Sequence, residues 1–504
     1  MAKEAHKLKE SPKRLTYGRF SNGSRFSKLN LAIFALLFAG IGSYFLFSSY
    51  AATTCDLNAT PSNFTAQVSA ITSGQTICLA SGNYGTWNTY NSSSKSFTVA
   101  PQPGATPIMC FEFGGAAGNI TIDGGHINWD YTTPGINSCE GPSSIDPGAS
   151  NIRIERMAFH CATNCSSTGM LDDRSTANGT GGGIFIGPGN IFHDEQFDGP
   201  TGIFIVGHGP PTDPSSTQII SNLFENFWPD AIDPGSGVTI TGNDFFNIWS
   251  PSSYPGHTDV IQFNDHDVIK GNFIHGTGAT HGCTEGITNY DTGDSNVIED
   301  NVIVGCDVHS LVTAGDNPTG SLVDHNTVIG AGGEECGTKS GLGYPSPSLT
   351  QIRDNILQYG INWGGIQCTP SIDTRNMSWP SFGQIHSGTD FTGTPSFVGV
   401  AGPDGYPNTY AGYGLAVNSA GKNAASDGAD VGARVSLYSS GRPDGSGSTP
   451  VPGDLDNNGH VNVFDLSILL SHWNQTGPSL PGDLDNNNIV NIFDLSVLLS
   501  HYGT

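Results

Sequence analysis

The chain has 504 residues, which is long enough for more than one domain, and a formal net charge of −26 at pH 7. Eight of its 19 Lys and Arg residues, but only two of its 45 Asp and Glu residues, lie in the first 30 positions. The rest of the chain is therefore strongly acidic, which argues against nucleic acid as a partner and favours a cation such as calcium.

The N-terminal segment joins this basic stretch to an uncharged, mostly apolar run over residues 29–47. Ser49 and Ala51 are small and two positions apart, which suits cleavage after Ala51. The run is also nearly long enough to span a bilayer. We expect residues 1–52 to be an export signal, with an uncleaved membrane anchor as the alternative. Either interpretation predicts an extracellular protein, secreted or attached to the cell surface, that meets the membrane only through this segment.

All ten cysteines follow this segment, and an even count on an exported chain favours disulfides. A Cys55–Cys78 bond would pin the N-terminal cap, and a Cys161–Cys165 bond could close a small loop. The other pairings stay open, and free buried thiols are the alternative.

A repeated asparagine frame runs through the middle of the chain, as in TITGNDF, VIKGNFI and VIEDNVI. The frame is constant while the intervals vary between 21 and 29 residues. Fixed strands with variable loops predict a parallel β-helix, whose coils stack like residues about 4.8 Å apart. A buried Asn at each bend can bond the Asn above and below it. The predicted ladder is Asn222, Asn243, Asn272, Asn301, Asn326 and Asn355.

The strand pattern over residues 53–438 resembles the right-handed parallel β-helices of the pectin-lyase-like superfamily. We therefore expect an all-β fold, with TPSNFTAQVSAI as a helix over its open N-terminal end. The strand-poor sequence that follows the last frame should wrap the last coil. Residues 439–452 are rich in Gly, Ser and Pro and form a linker. Such a fold does not by itself fix an activity.

Opposite charges follow one another two positions before the ladder, where Lys270 precedes Glu299 and Asp324 precedes Arg353. On adjacent rungs these residues would form ion pairs. Lys270 as a catalytic base or substrate clamp is the alternative.

The strand after each frame carries the candidate site. Aligned on their apolar centres, DAIDP, DVIQF, EGITN, HSLVT and KSGLG begin with Asp230, Asp259, Glu285, His309 and Lys339. We call Asp230, Asp259 and Glu285 the acidic column. Carboxylates on consecutive rungs repel one another, so either a cation neutralises them or one stays protonated. Corner residues that cap turns are the alternative interpretation.

This column predicts a polysaccharide lyase or a glycoside hydrolase. Carboxyl groups on adjacent or alternate rungs would be about 4.8 or 9.6 Å apart, which matches the carboxyl separations of glycosidases. A lyase would instead use calcium bound to the column, with Lys270, Lys339 or a histidine as the base. Long insertions near the Asp259 and Glu285 rungs favour a cleft over a non-catalytic adhesin or carbohydrate-binding solenoid that uses Trp228, Trp249, Trp363 and Tyr344. The predicted catalytic residues are Asp230, Asp259, Glu285, His257 and Lys270, and the predicted substrate-binding residues are Gln262, His281, His309 and Tyr290.

A second repeat occupies residues 453–504, where an acidic loop and an apolar helix occur twice. The oxygen ligands have the spacing of an EF-hand calcium loop, with Gly459 and Asn488 at the sharp turn. The predicted Ca²⁺ ligands are Asp454, Asp456, Asn458, His460 (carbonyl), Asn462 and Asp465 in the first loop, and Asp483, Asp485, Asn487, Ile489 (carbonyl), Asn491 and Asp494 in the second.

The duplicated loop and helix resemble a dockerin. The resemblance implies a small α-helical calcium-binding domain whose partner is a cohesin module, recognised in part by Val463, Phe464, Ile492 and Phe493. A calcium-clamped domain that only caps or spaces the chain is the alternative.

Overall fold

A computed structural model of the protein describes much of the chain after residue 53. The described residues are 54–90, 94–130, 143–163, 169–177, 181–194, 201–205, 216–226, 230–248, 258–276, 282–289, 295–313, 320–330, 334–335, 351–362, 372–382, 387–399, 401, 405–438, 461, 466, 469–470, 473, 475, 482, 484, 489–500 and 502. The predicted export segment, the linker and the first calcium loop lie outside these ranges. None of the described helices is both long and apolar enough to cross a bilayer.

Parallel strands dominate the described chain. The first are β1 Leu57–Ala59, β2 Thr76–Leu79, β3 Gly82–Thr89, β4 Phe97–Pro101, β5 Pro107–Phe113, β6 Gly118–Asp130, β7 Ser143–Ile145, β8 Ser150–Thr163, β9 Gly169–Asp173, β10 Phe185–Ile186 and β11 Ile191–Asp194. The next are β12 Thr201–Ile205, β13 Gln218–Ile220, β14 Leu223–Glu225, β15 Ile232–Asp233, β16 Thr239–Thr241, β17 Asp244–Phe246, β18 Asp259–Gln262, β19 Val268–Lys270, β20 Phe273–His275, β21 Cys283–Asn289 and β22 Val297–Glu299. The last are β23 Val302–Val304, β24 Cys306–Thr313, β25 Leu322–Asp324, β26 Thr327–Ile329, β27 Glu334–Glu335, β28 Gln351–Arg353, β29 Ile356–Gln358, β30 Ile361–Asn362, β31 Ile372–Thr374, β32 Met377–Trp379 and β33 Phe391–Thr392.

From β10 to β29, each strand pairs in parallel with the strand three places later. The strands therefore form three stacks, and the chain visits the stacks in turn, which is the path of a parallel β-helix. We number the stacks by their order around a coil: stack 1 contains β16, β19 and β22, stack 2 contains β17, β20 and β23, and stack 3 contains β15, β18 and β21. The predicted fold is confirmed at this level.

The interior of the coils is a continuous apolar core. Within stack 2, the rings of Phe159, Phe192, Phe224 and Phe245 lie one above another with centroids 4.4 to 4.9 Å apart. The predicted N-terminal helix is present as α1 Phe64–Ala70, and its Phe64 ring packs edge-on against Trp87. The predicted Cys55–Cys78 disulfide is present, and a second bond joins Cys283 to Cys306.

The asparagine ladder stands between stacks 1 and 2, and all six predicted members belong to it. In each step, the backbone N–H and the Nδ2 group of one Asn donate to Oδ1 of the next, as Asn272 does to Asn301 at 3.0 and 2.9 Å. Nδ2 also donates to a backbone carbonyl of the preceding coil, as from Asn301 to Ile269 at 2.9 Å. The ladder is longer than predicted, because Asn190 precedes Asn222 and Asn376 follows Asn355.

A left-handed residue precedes each predicted ladder Asn and turns the chain from stack 1 into stack 2. Ser221, Asp300, His325 and Asp354 hold φ values between 53° and 58°, and Gly242 and Gly271 take the same place. The glycine at 271 also makes room, since a Cβ there would lie 2.2 Å from the ring of Tyr438.

The segment after the last coil does more than wrap that coil. We call residues 405–438 the C-terminal strap. It runs back along the ladder corners: Gly432 N–H donates to the Asp354 carbonyl at 2.8 Å, Ala433 N–H donates to Thr327, and the Arg434 guanidinium binds Asp300 at 2.8 Å. Tyr410 and Tyr413 of the strap cover Phe273, Val302 and Val304 on the outer face of stack 2.

We expect Asn301→Ala to lower the free energy of unfolding by about 3 kcal/mol, because it leaves an N–H and an amide of Asn272 without acceptors. Asn301→Asp should also destabilise, since a carboxylate accepts hydrogen bonds but cannot donate one to the Ile269 carbonyl. The natural ladder ends at Asp390, which only accepts, from Asn376. Unfolding in guanidinium chloride would measure the free energy of unfolding of both variants. The control is Asn88→Ala at an exposed position, whose free energy of unfolding should lie within about 0.5 kcal/mol of wild type.

The buried Asp267 lies just before the stack 1 strand β19, in a second row of side chains that accept backbone N–H groups. Its carboxylate accepts the N–H groups of Val238 at 2.7 Å and Asn264 at 2.8 Å, and its own N–H donates to Asn296 at 2.7 Å. Burial raises the pKa of Asp267 to about 8, although the hydrogen bonds from Asn264 and Val238 oppose the shift.

A folded pKa above the unfolded value means that the protonated carboxyl stabilises the fold at low pH, and that this stability is lost as pH rises from about 4 towards 8. Asn mimics the protonated form. We therefore expect the stability of Asp267→Asn relative to wild type to increase from pH 5 to pH 8, by up to about 1 kcal/mol per unit. Parallel unfolding curves at each pH would measure it, and a pH-independent difference would contradict it.

Candidate functional site

On stack 3, each rung places polar residues on both sides of an apolar pair. Ala231 with Ile232, and Val260 with Ile261, belong to the core. Two successive inward residues break the simple alternation of a strand. The polar residues on either side of each pair therefore lie on the side of the strand that faces away from the core. They are Asp230 and Asp233, Asp259 and Gln262, and Glu285 and Thr288.

The register along stack 3 confirms the alignment of the acidic column with His309. Ile232 pairs with Ile261, Ile261 with Ile287, and Ile287 with Leu311. Asp259 accordingly pairs with Glu285, and Glu285 pairs with His309. Four consecutive rungs thus carry Asp230, Asp259, Glu285 and His309 at the same offset, about 4.8 Å apart along the backbone.

The three carboxylates have different surroundings. Asp230 is partly exposed, and its Oδ1 accepts the backbone N–H of Asp259 at 2.7 Å, so it caps the next rung. Asp259 is fully buried, and its Oδ1 accepts the hydroxyl of Thr288. Glu285 is 6% exposed. The capping interpretation therefore describes Asp230, whereas Asp259 and Glu285 form a buried pair of carboxyl groups on adjacent rungs.

The hydroxyl of Thr288 is the contact that inspection of the sequence missed. Thr288 follows Glu285 by three positions, as Gln262 follows Asp259 and Asp233 follows Asp230. The bond from Thr288 to Asp259 joins opposite edges of two adjacent rungs.

The structure contradicts the predicted fifth rung. Leu311 pairs with Glu334 of β27, so the strand above HSLVT is the Glu334–Glu335 pair and not KSGLG. Lys339 is therefore not the leading residue of that rung, and its own position lies outside the described residues. The error arose because KSGLG has the expected pattern, while the strand that pairs is two residues long and has no apolar centre.

Lys270 does not join the acidic column. It lies on β19 of stack 1, in register with Glu299, and its Nζ is 2.8 Å from the Glu299 carboxylate. Arg353 and Asp324 form the matching pair at 3.1 Å. Both predicted opposite-charge pairs are thus present, and the geometry of Lys270 is that of an ion pair on a different stack from the candidate site.

Several predicted residues lie outside the described part of the chain. They are His257, His281, Tyr290, the side chain of His309, Trp228, Trp249, Trp363, Tyr344, Cys165 and, in the calcium loops, Asp454, Asp456, Asn458, His460, Asn462, Asp465, Asp483, Asp485 and Asn487.

The end of the second predicted calcium loop lies within the described residues. Asp494 is buried, and its two oxygens accept the N–H groups of Leu484 at 2.7 Å and Asn491 at 2.8 Å. Helix α2 Ile492–Ser500 begins directly after Asn491. Its Leu498 packs with Val461, Leu469 and Val490 in a small core. A carboxylate therefore closes this loop at its twelfth position, where an EF-hand loop requires one.

Comparison with known proteins gives no family model and no curated protein that matches the chain. Among solved structures, it is similar to a PL6 family alginate lyase, AlyGC, with 15% identity and a TM-score of 0.43 over 74% of this chain and 58% of that one. The chain thus spans less than two thirds of that lyase. It is also similar to the pectate lyase Pel9A, with 15% identity and a TM-score of 0.36 over 75% of this chain and 96% of that one. A mannuronic acid specific family 6 lyase from human gut microbiota gives 12% identity and a TM-score of 0.35 over 67% of this chain and 82% of that one.

Proposed function

We propose that this protein is an exported enzyme that cleaves glycosidic bonds of a polysaccharide at the acidic column. The observation that supports the proposal is the buried pair of Asp259 and Glu285 on adjacent rungs. Two buried carboxyl groups of like charge are costly to a fold, and paired carboxyls are the machinery of glycoside hydrolysis.

The surroundings of the two groups suggest their roles. Thr288 donates its hydroxyl to Asp259 Oδ1 and so holds this carboxyl group in place, and we assign Asp259 as the nucleophile or the charge-stabilising group. Glu285 is the general acid that protonates the glycosidic oxygen as the bond to the anomeric carbon breaks. A rung spacing of about 4.8 Å is close to the carboxyl separation of about 5–5.5 Å in retaining enzymes.

A calcium-assisted lyase is the second candidate, because three rungs carry the four carboxylates of Asp230, Asp233, Asp259 and Glu285. Carboxylate oxygens are the ligands that calcium prefers, so this donor set fits the ion. Asp230, Asp259 and Glu285 would hold it, and bound calcium would neutralise a uronate group of the substrate. His309, in register beside Glu285, is the candidate base, whereas Lys270 is held by Glu299.

The hydrolase proposal ranks first because of how the carboxylates are placed. Within the described residues, the group of three side chains that brings its ligand atoms within 4.8 Å of one another is Asp324, His325 and Asp354. The carboxylate oxygens of Asp230, Asp259 and Glu285 do not all lie within that distance of one another. Its geometry is nearer to that of separate acid and nucleophile groups.

Two disulfides support export of the protein, and the second C-terminal loop supports its attachment to a partner. The disulfides Cys55–Cys78 and Cys283–Cys306 are bonds of oxidising compartments. The closure of the second C-terminal loop by Asp494 supports a dockerin-like calcium domain that tethers the enzyme to a cohesin-like module. A non-catalytic adhesin or carbohydrate-binding solenoid remains the alternative from another class.

We expect Asp259→Asn and Glu285→Gln each to lower kcat/KM by 100-fold or more, about 2.7 kcal/mol, on a polysaccharide that the wild type cleaves. Both variants keep side-chain shape and remove charge repulsion, so the melting temperature should hold or rise. Asp123→Asn, which breaks a surface pair with Arg156, is the matched control.

A polysaccharide panel with two readouts separates the candidates. Reducing ends without ultraviolet-absorbing product indicate hydrolysis, whereas an unsaturated absorbing product that requires calcium indicates a lyase. Binding without either product would indicate the solenoid. Full activity in both variants would reject the column as the site.

We expect calcium titration of the chelator-stripped full chain to show two C-terminal sites. Asp494→Ala should remove one of them, because it deletes a ligand and frees the N–H groups of Leu484 and Asn491. Asn488→Gly, which copies Gly459 of the first loop, should bind at least as tightly as wild type. Unchanged stoichiometry in Asp494→Ala would contradict the ligand assignment.

A further inference from the structure

A compact charged cluster lies where the C-terminal strap crosses the ladder corners. His325 and Asp354 are the left-handed residues that precede Asn326 and Asn355 on neighbouring coils. Asp324 is adjacent to His325 in the chain. Ser426 and Asp427 of the strap lie against them. The cluster thus joins two coils to a segment about 70 to 100 residues later in the chain.

The imidazole of His325 is oriented by Asp324 and directed at acidic groups. Its Nδ1 is 2.8 Å from Asp324 Oδ1, and its side chain is only 2% exposed. The other nitrogen, Nε2, is buried and has no hydrogen-bond partner among the described residues. It lies 3.7 Å from Asp427 Oδ1. A buried ring nitrogen without a partner is costly, so this atom calls for a ligand.

Asp354 lies beside the imidazole of His325, and its charge is unpaired among the described residues. Its carboxylate accepts the N–H of Ser426 at 2.7 Å and the Ser426 hydroxyl, but within the described residues it forms no ion pair. Ligand atoms of Asp324, His325 and Asp354 all lie within 4.8 Å of one another.

The neighbouring cations are engaged with other groups. Arg353 binds Asp324 at 3.1 Å. Arg434 binds Asp300 at 2.8 Å and comes no nearer than 3.9 Å to Asp427 and Glu299. Lys270 binds Glu299. The carboxylates of Asp354 and Asp427 therefore leave an excess of negative charge beside a ring nitrogen that can act as a ligand.

We propose that His325, Asp354 and Asp427 bind a divalent transition-metal ion, with zinc as the best-fitting metal, that fastens the strap to the coils. Mixed imidazole and carboxylate ligands suit zinc, whereas calcium and magnesium take oxygen ligands. Two ligands at about 2.0–2.1 Å in tetrahedral geometry lie roughly 3.3 Å apart, close to the 3.7 Å between His325 Nε2 and Asp427 Oδ1.

Asp324 acts as a positioning residue in this site. By accepting the Nδ1 proton it leaves Nε2 as the ligand nitrogen, which is the usual role of a carboxylate behind a metal-bound histidine.

Zinc and cobalt titrations of the full-length, chelator-stripped protein test the proposal, with excess calcium present to occupy the C-terminal loops. We expect one zinc equivalent and, with Co²⁺, intense visible absorption of a tetrahedral site. Asp427→Ala should weaken binding at least tenfold without a folding defect, because this side chain is 47% exposed. His325→Ala should abolish binding, and Asp324→Asn should weaken it by about 10–100-fold.

His193→Ala is the matched control, since His193 also bonds a carboxylate, Glu225, at 2.7 Å but lies away from the strap corners on stack 2. It should bind zinc as wild type does. Zinc should also slow proteolysis within residues 405–438 in wild type and not in Asp427→Ala. Absence of zinc binding, or equal binding by wild type, Asp427→Ala and His325→Ala, would overturn the proposal.

Discussion

The stacked asparagine amide is the interaction on which this molecule depends. Each ladder Oδ1 accepts two hydrogen bonds from the coil before it, and each Nδ2 donates to the next amide and to a carbonyl. All hydrogen-bonding groups of the amide are therefore satisfied in a buried corner, where an unpaired one would cost about 1–3 kcal/mol. The residue before each Asn has a left-handed backbone conformation, which turns the chain sharply from the stack 1 strand into the stack 2 strand.

Because the ladder fixes one point of every coil, it fixes the register of the strands on either side. A residue at a given offset from its Asn then lies directly over its counterpart on the next coil. Lys270 over Glu299, and Asp324 over Arg353, use this order to pair opposite charges. In the acidic column the same register places carboxyl groups of like charge together. Their repulsion must be offset by a hydrogen bond from a hydroxyl group, by protonation or by a bound cation. Strict periodicity thus both stabilises the solenoid and concentrates chemistry at one surface.

The strap divides the outer face of stack 2 into two regions. Where Tyr410 and Tyr413 of the strap cover it, the outward residues Phe273, Val302 and Val304 are apolar. Farther along stack 2 lies the partly exposed pair of His193 and Glu225. The strap is held largely through the left-handed corner positions, whose backbone and side chains face it. The turns at the ladder asparagines therefore stabilise both the coils and the C-terminal strap that packs on them.

The sequence by itself determined most of what repeats. The frame around each Asn predicted the ladder, the two ion pairs and the common offset of Asp230, Asp259, Glu285 and His309, because in a β-helix equal spacing from one anchor means contact. It did not reveal Asn190 and Asn376, whose frames GPGNIF and DTRNMSW lack the apolar residue before the turn. It also gave the wrong fifth rung, where a two-residue strand carries no apolar centre.

Only the tertiary structure decided the contacts that do not repeat. The bond from Thr288 to Asp259 joins opposite edges of two adjacent rungs and depends on the bend that buries Val260 and Ile261 together. The meeting of Asp427 with His325 depends on the path of the strap, which is set by how its aromatic and charged side chains fit the corners. Such a fit arises from shape and charge between distant segments, and no local spacing in the sequence encodes it.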